Sequence, residues 1–112
     1  MARFFTDAEV DGLQPQLVDM LDKAREFAGV PFLITCGYRS PEHNAEIGGA
    51  PNSAHTRVLA VDLRCADSWT RFRMVRGLIF AGFNRIETAP AHVHADVDQT
   101  LPQNVFILGD DH

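Results

Sequence analysis

The alternation of apolar and polar residues along the chain predicts two amphipathic helices. Over residues 13–28, apolar side chains recur every three or four positions and acidic and basic ones occupy the other face. A second helix is predicted to begin at a cap formed by Asp67 or Ser68 and to reach about Ala81. Its inner stripe is expected to contain Phe72, Val75, Leu78 and Ile79, with Arg71, Arg73 and Arg76 facing water.

Short runs rich in strand-forming residues predict a small sheet. The predicted strands cover residues 31–35, 59–63, 84–88, 91–97 and 105–108, the last as an edge strand. Residues 6–9 have the spacing of a capping box, residues 41–47 favour a short helix, and residues 47–52 favour a loop. We therefore predict one α+β domain over residues 1–112, with two main helices packed on one face of a small, largely antiparallel sheet. The polar strand positions are expected to gather on the other face.

Composition narrows the class of protein. The chain has 112 residues, of which 46% are hydrophobic and 22% charged, as in ordinary globular domains. A net charge of −5 without a basic stripe argues against a nucleic-acid partner. The first residues lack the apolar core of a signal peptide, and no apolar run approaches membrane-spanning length. We expect a monomer, made in the cytoplasm, with no membrane partner.

The two cysteines leave an alternative open. Cys36 and Cys65 each follow a predicted strand, and two cysteines can form only one disulfide. Without a secretion signal the default expectation is two reduced, buried thiols. The sequence does not decide between the thiols and a bridge.

Two stretches carry residues that suit a metal. His55 and Asp62 are seven positions apart, and Asp62 lies inside an apolar run, where a carboxylate needs a partner or a cation. On a strand, alternation places His92, His94 and Asp96 on one face. Together the two stretches offer enough ligands to hold a metal and leave one position open, which is typical of a catalytic zinc site.

The spacing of these residues resembles that of a known family. Ser53-x-His55, Ala60-x-Asp62 and the late Val93-His94-x-Asp96 are similar to the motifs of the zinc D-alanyl-D-alanine carboxypeptidases, peptidase family M15. That family shares its fold with the hedgehog signalling domain. The resemblance implies Zn²⁺ held by His55, Asp62 and His94, although His92 is an alternative to His94. One departure is Val58, where the family pattern usually has glycine.

The resemblance also suggests roles for residues around the metal. Glu87, seven positions before His94, is expected to be the general base, and His92 to stabilise the oxyanion or share the proton transfer. Arg39 matches the position of a clamp for a substrate carboxylate, a task that suits a planar guanidinium. Ser53 and Asp96 are expected to orient the metal ligands without binding the metal themselves.

The resemblance implies a zinc peptidase that hydrolyses an amide bond in peptidoglycan stem peptides. The family's D,D-carboxypeptidases and the related phage L-alanyl-D-glutamate endolysins both fit the pattern. The protein would reach the cell wall after release or as part of a phage particle. The main alternative is a non-catalytic, zinc-stabilised binding or structural module of the same fold. A mononuclear iron oxygenase is a third reading, because iron(II) uses a similar ligand set.

Overall fold

The computed structural model describes residues 3–36 and 59–109, which contain two helices and a five-stranded sheet. In chain order the elements are α1 (Pro15–Ala28), β1 (Ile34–Cys36), β2 (Ala60–Arg64), α2 (Ser68–Phe80), β3 (Arg85–Thr88), β4 (His92–Asp96) and β5 (Val105–Leu108). The predicted α+β class is confirmed. None of the helices described is long and apolar enough to cross a membrane. The helix predicted at 41–47 and the loop predicted at 47–52 lie outside the described residues.

The sheet has the strand order β1-β2-β4-β3-β5. β1–β2, β2–β4 and β4–β3 pair antiparallel, whereas β5 pairs parallel to β3, so the sheet is largely antiparallel as predicted. A tight connection joins β3 to β4, and in it the Ala89 N–H donates to the His92 carbonyl at 2.9 Å. The first strand begins at Ile34, later than predicted, and its pairing with β2 is irregular between Ile34 and Cys36.

The two helices pack together and cover one face of the sheet. This layer is built from fully buried side chains of both helices and of the strand positions that point toward them. They include Leu17, Leu21 and Ala24 of α1, Met74 and Leu78 of α2, and Val61, Leu63, Val93 and Ala95 of the sheet. Because strand side chains alternate, the residues between them point to the opposite face. That face carries the polar residues, as the sequence predicts.

The predicted caps form, but one does not start a helix. Thr6 and Glu9 exchange the two hydrogen bonds of a capping box, at 2.8 and 3.2 Å, yet only turns follow them. α1 runs from Pro15 to Ala28 and is capped by Gly29, whose φ of 68° is the left-handed conformation that favours glycine. α2 is capped by Asp67, whose side chain accepts a hydrogen bond from the Thr70 N–H at 2.8 Å.

The predicted inner stripe of α2 is wrong at two positions. Phe72 and Ile79 are 63% and 57% exposed, whereas Met74, Gly77 and Leu78 are buried. Apolar residues surround this helix, so periodicity alone does not identify its inner face. Arg71 also departs from the prediction, because its guanidinium donates to the Cys65 carbonyl at 3.0 Å instead of facing only water.

The contact between α1 and α2 depends on Gly77. A Cβ at this position would overlap the Ala24 carbonyl oxygen and lie 2.9 Å from the Ala28 backbone nitrogen. These are backbone atoms of a helix and cannot rotate away. We expect Gly77→Ala to lower the free energy of unfolding, because overpacking costs about 1–3 kcal/mol and outweighs a helix-propensity gain of at most about 1 kcal/mol. Urea unfolding measures the change, and an unaltered or higher midpoint would contradict the close approach of the helices.

Candidate active site

Strand register places three of the predicted site residues in a row across the sheet. Asp62 of β2 and His94 of β4 are direct partners, and His94 is also the direct partner of Glu87 on β3. Directly paired residues project to the same face, so this row lies on the face opposite the helices. A carboxylate, an imidazole and a second carboxylate therefore lie side by side on adjacent strands.

His94 contacts a carboxylate through each ring nitrogen. Its Nδ1 lies 2.9 Å from Asp62 Oδ1, and its Nε2 lies 2.8 Å from Asp96 Oδ2. A neutral imidazole has one N–H and can donate to only one of these carboxylates. If Nε2 carries the proton toward Asp96, the Nδ1 lone pair faces an oxygen of Asp62. Such a pair of acceptors needs a proton or a metal cation between them, so the arrangement fits a metal.

Asp96 is held in place from several sides. Its side chain is only 1% exposed, and it accepts hydrogen bonds from Arg85 Nε at 2.8 Å and from the Asp98 N–H at 3.1 Å. Burial alone would raise the pKa of Asp96. The hydrogen bonds from His94 and Asp98 and the charge of Arg85 act against burial, and the pKa of Asp96 is lowered. Asp96 is thereby kept as an anion beside Nε2 of His94. A histidine that binds a metal through one ring nitrogen typically donates the N–H of the other to such a carboxylate.

Arg85 lies beside the predicted site residues, although no motif in the sequence indicates it. Its guanidinium is buried with Asp96 and also donates to the Pro102 carbonyl. The available signal is its position two residues before Glu87, which puts both side chains on the same face of a strand. An arginine at such a position needs an anionic partner if the face is covered.

The register separates the two histidines of β4. His92 lies on the same face as His94, but its direct partner on β2 is Arg64 rather than Asp62. His92 and Glu87 are both half-buried. The register therefore places His94, and not His92, beside Asp62.

The remaining predicted site residues, Arg39, Ser53 and His55, lie outside the described residues, as does Val58. Within residues 3–36 and 59–109, no three His, Cys, Asp or Glu side chains are arranged to hold a metal ion together. The reason is visible at His94. Asp62 and Asp96 contact opposite nitrogens of its ring, so an ion bound to one nitrogen can be shared with only one of these two carboxylates.

Cys65 is a free, buried cysteine. Burial raises the pKa of its thiol, although Arg71 and a hydrogen bond to the Asp67 carbonyl act in the opposite direction. A raised pKa keeps the thiol protonated and poorly reactive at neutral pH. This agrees with the expected reduced thiol at Cys65, while the side chain of Cys36 is not described.

Comparison with known proteins identifies one family. A family model described as Peptidase M15 matches residues 3–96. The match covers both helices and the first four strands, and it ends at Asp96, the last residue of β4. Among curated proteins, none matches the chain. The matched range contains all the residues that the sequence analysis assigns to the site.

Proposed function

Since the chain belongs to the peptidase M15 family, we propose that it is a zinc metallopeptidase that hydrolyses an amide bond in peptidoglycan stem peptides. Family membership indicates a peptidase, and peptidases of this family are generally zinc-dependent. The observation that carries the proposal is the row of Asp62, His94 and Glu87 on one face of the sheet. In this proposal the row would supply two metal ligands and a proton acceptor at adjacent positions.

In this proposal Asp62, His94 and His55 hold the zinc ion. The contact between Asp62 and His94 Nδ1 supports it, because zinc takes carboxylate and imidazole ligands together. A bound zinc ion would supply Lewis acidity, which activates water near neutral pH and polarises the substrate carbonyl. Asp96 would hold the His94 ring in the orientation that presents Nδ1 to the metal.

Glu87 would transfer the proton. Its carboxylate would accept a proton from the attacking water and pass it to the nitrogen of the leaving amine. Its register opposite His94 supports this role, since a general base must lie within hydrogen-bond reach of the reacting atoms. His92, on the same face, would stabilise the developing oxyanion or share the proton transfer.

The substrate would be recognised through its carboxylate. Arg39 would pair bidentately with a carboxylate of the stem peptide, and Ser53 would orient His55. Both D,D-carboxypeptidase and endolysin-like endopeptidase activities are compatible with this arrangement. The protein, as a monomer, would act on the cell wall after release from the cytoplasm or as part of a phage particle.

The direct test is incubation of the purified, zinc-loaded protein with muropeptides, followed by mass spectrometry of the products. We expect each cleavage to add one water to the substrate, and the masses of the two products identify the scissile bond. Chelation should stop the reaction and added zinc should restore it. Intact muropeptides after incubation with protein that is folded and zinc-loaded would contradict the proposed function.

Removing the metal also separates an enzyme from a zinc-stabilised module. Asp62, His94 and Asp96 lie on paired strands whose other face packs on the hydrophobic core, so the sheet has stabilising contacts besides any metal. We therefore expect chelation to abolish turnover while the circular dichroism spectrum remains folded. Unfolding on chelation would indicate that zinc is a structural component, as in small metal-dependent domains.

A further inference from the structure

Gly109 follows β5 directly and lies beside the end of β3. Its N–H donates to the Thr88 carbonyl at 2.8 Å, which extends the parallel pairing of the two strands by one residue. Within that pairing Glu87 is opposite Ile107. Gly109 is two residues beyond Ile107, so a side chain at position 109 would project to the same face as Glu87.

There is no room for that side chain. A Cβ at Gly109 would overlap Glu87 Oε1 and would lie 2.5 Å from Cδ and 2.8 Å from Cγ of the same residue. The three nearest heavy atoms all belong to the Glu87 side chain, and none belongs to the backbone. The carboxylate therefore lies directly over the α-carbon of Gly109.

Backbone conformation does not explain this glycine. Among the described residues, the glycines with positive φ are Gly12, Gly29 and Gly82, and Gly109 is not one of them. Any residue could adopt its backbone conformation. Position 109 requires glycine because a side chain has no space there. The Glu87 carboxylate occupies that space.

We propose that Gly109 is a positioning residue for the Glu87 carboxylate. Because Gly109 has no side chain, the space above the Gly109 α-carbon is free, and the carboxylate occupies it. The inference rests on the proposed function, in which Glu87 is the general base. A base displaced by about 1 Å can lose on the order of 100-fold in rate. The residue that follows β5 would thus contribute to the reaction through Glu87, although it lies beyond the range matched by the family model.

A methyl group at position 109 should move Glu87 without unfolding the chain, because the obstructing atoms belong to a flexible side chain. For zinc-loaded Gly109→Ala we expect kcat to fall about 10- to 100-fold. We expect KM, zinc content and the urea midpoint to stay unchanged. Leu108→Ala is the matched control, since Leu108 is the neighbouring residue and is 88% exposed. An unchanged kcat in Gly109→Ala would overturn the proposal.

Removing the acid provides a test of non-additivity. Glu87→Ala deletes Cγ, Cδ and the carboxylate oxygens, which include the three atoms nearest to a Cβ at position 109, and should lower kcat on its own. Because no atom of residue 87 then obstructs a methyl group, adding Gly109→Ala to Glu87→Ala should cost little more. This non-additivity is the signature of two residues in contact. If the two losses multiply, Gly109 acts independently of Glu87 and the proposal fails.

A spectroscopic readout separates this inference from the proposed function. The carboxyl ¹³C resonance of Glu87, assigned by its absence in Glu87→Gln, should shift in Gly109→Ala and not in Leu108→Ala. An unmoved resonance overturns the positioning role whether or not the protein cleaves muropeptides. A shifted resonance in a protein without peptidase activity supports the positioning of Glu87 and contradicts only the proposed function.

Discussion

Glu87→Gln should lower kcat/KM for muropeptide hydrolysis by about 10²- to 10⁴-fold, the usual contribution of a general base. Glutamine has nearly the same shape as glutamate but cannot accept the proton from water at neutral pH. Glu87 is not among the proposed ligands, so zinc content measured by elemental analysis should equal that of the unaltered protein. The assay is the initial rate of product formation, followed by mass spectrometry.

A control for this substitution is Glu26→Gln. Glu26 lies on α1 in the helix layer, where its exposed carboxylate pairs with Arg3 at 3.3 Å. The same loss of one negative charge there should leave kcat/KM unchanged. Full activity in Glu87→Gln would overturn the assignment of the base. Loss of zinc from this variant would instead make Glu87 a ligand.

Arg85→Met should cost about 3–5 kcal/mol in the free energy of unfolding, the usual effect of removing one partner from a buried ion pair. The side chains of Arg85 and Asp96 are only 10% and 1% exposed, and their contact is 2.8 Å long. Methionine fills much of the volume of the arginine stem but leaves the Asp96 carboxylate without its cation. Urea unfolding followed by circular dichroism measures the loss.

Arg3→Met is the matched control, because it removes the same kind of side chain from an exposed ion pair. Arg3 and its partner Glu26 are 68% and 59% exposed, and such pairs contribute little to stability. The urea midpoint should hardly change. Adding Asp96→Asn to Arg85→Met should recover part of the stability, since no unpaired buried charge then remains. Equal midpoints for Arg85→Met and Arg3→Met would contradict the importance of the buried pair.

Much of the fold could be predicted because strand alternation and apolar runs report directly on burial. The predicted edge strand at 105–108 agrees with β5, and the polar residues of β4 face away from the helices. The inner face of α2 could not be predicted in the same way. Phe72 and Ile79 are as apolar as the residues that are buried, and the choice between them depends on how closely Gly77 lets α1 approach.

For the site, the types of the proposed metal ligands could be predicted from the sequence. The residues that hold the site residues in position could not. Asp62 and His94 are 32 positions apart, and only strand register makes them neighbours. A family motif indicates such a pair, because the motif comes from folded chains in which the same strands are paired. Arg85 and Gly109 belong to no motif used in the sequence analysis, and their contributions depend on side-chain contacts in the folded sheet.

The hairpin formed by β3 and β4 has a consequence for folding kinetics. Arg85, Glu87, His94 and Asp96 all lie within it, and the Arg85–Asp96 contact closes a separation of only 11 positions. Loop closure over so short a distance costs little entropy, and contacts of low sequence separation favour fast folding. Much of the geometry around His94 can thus assemble in a local, early event. Asp62, which lies 32 positions before His94 in the chain, joins when β2 pairs with β4.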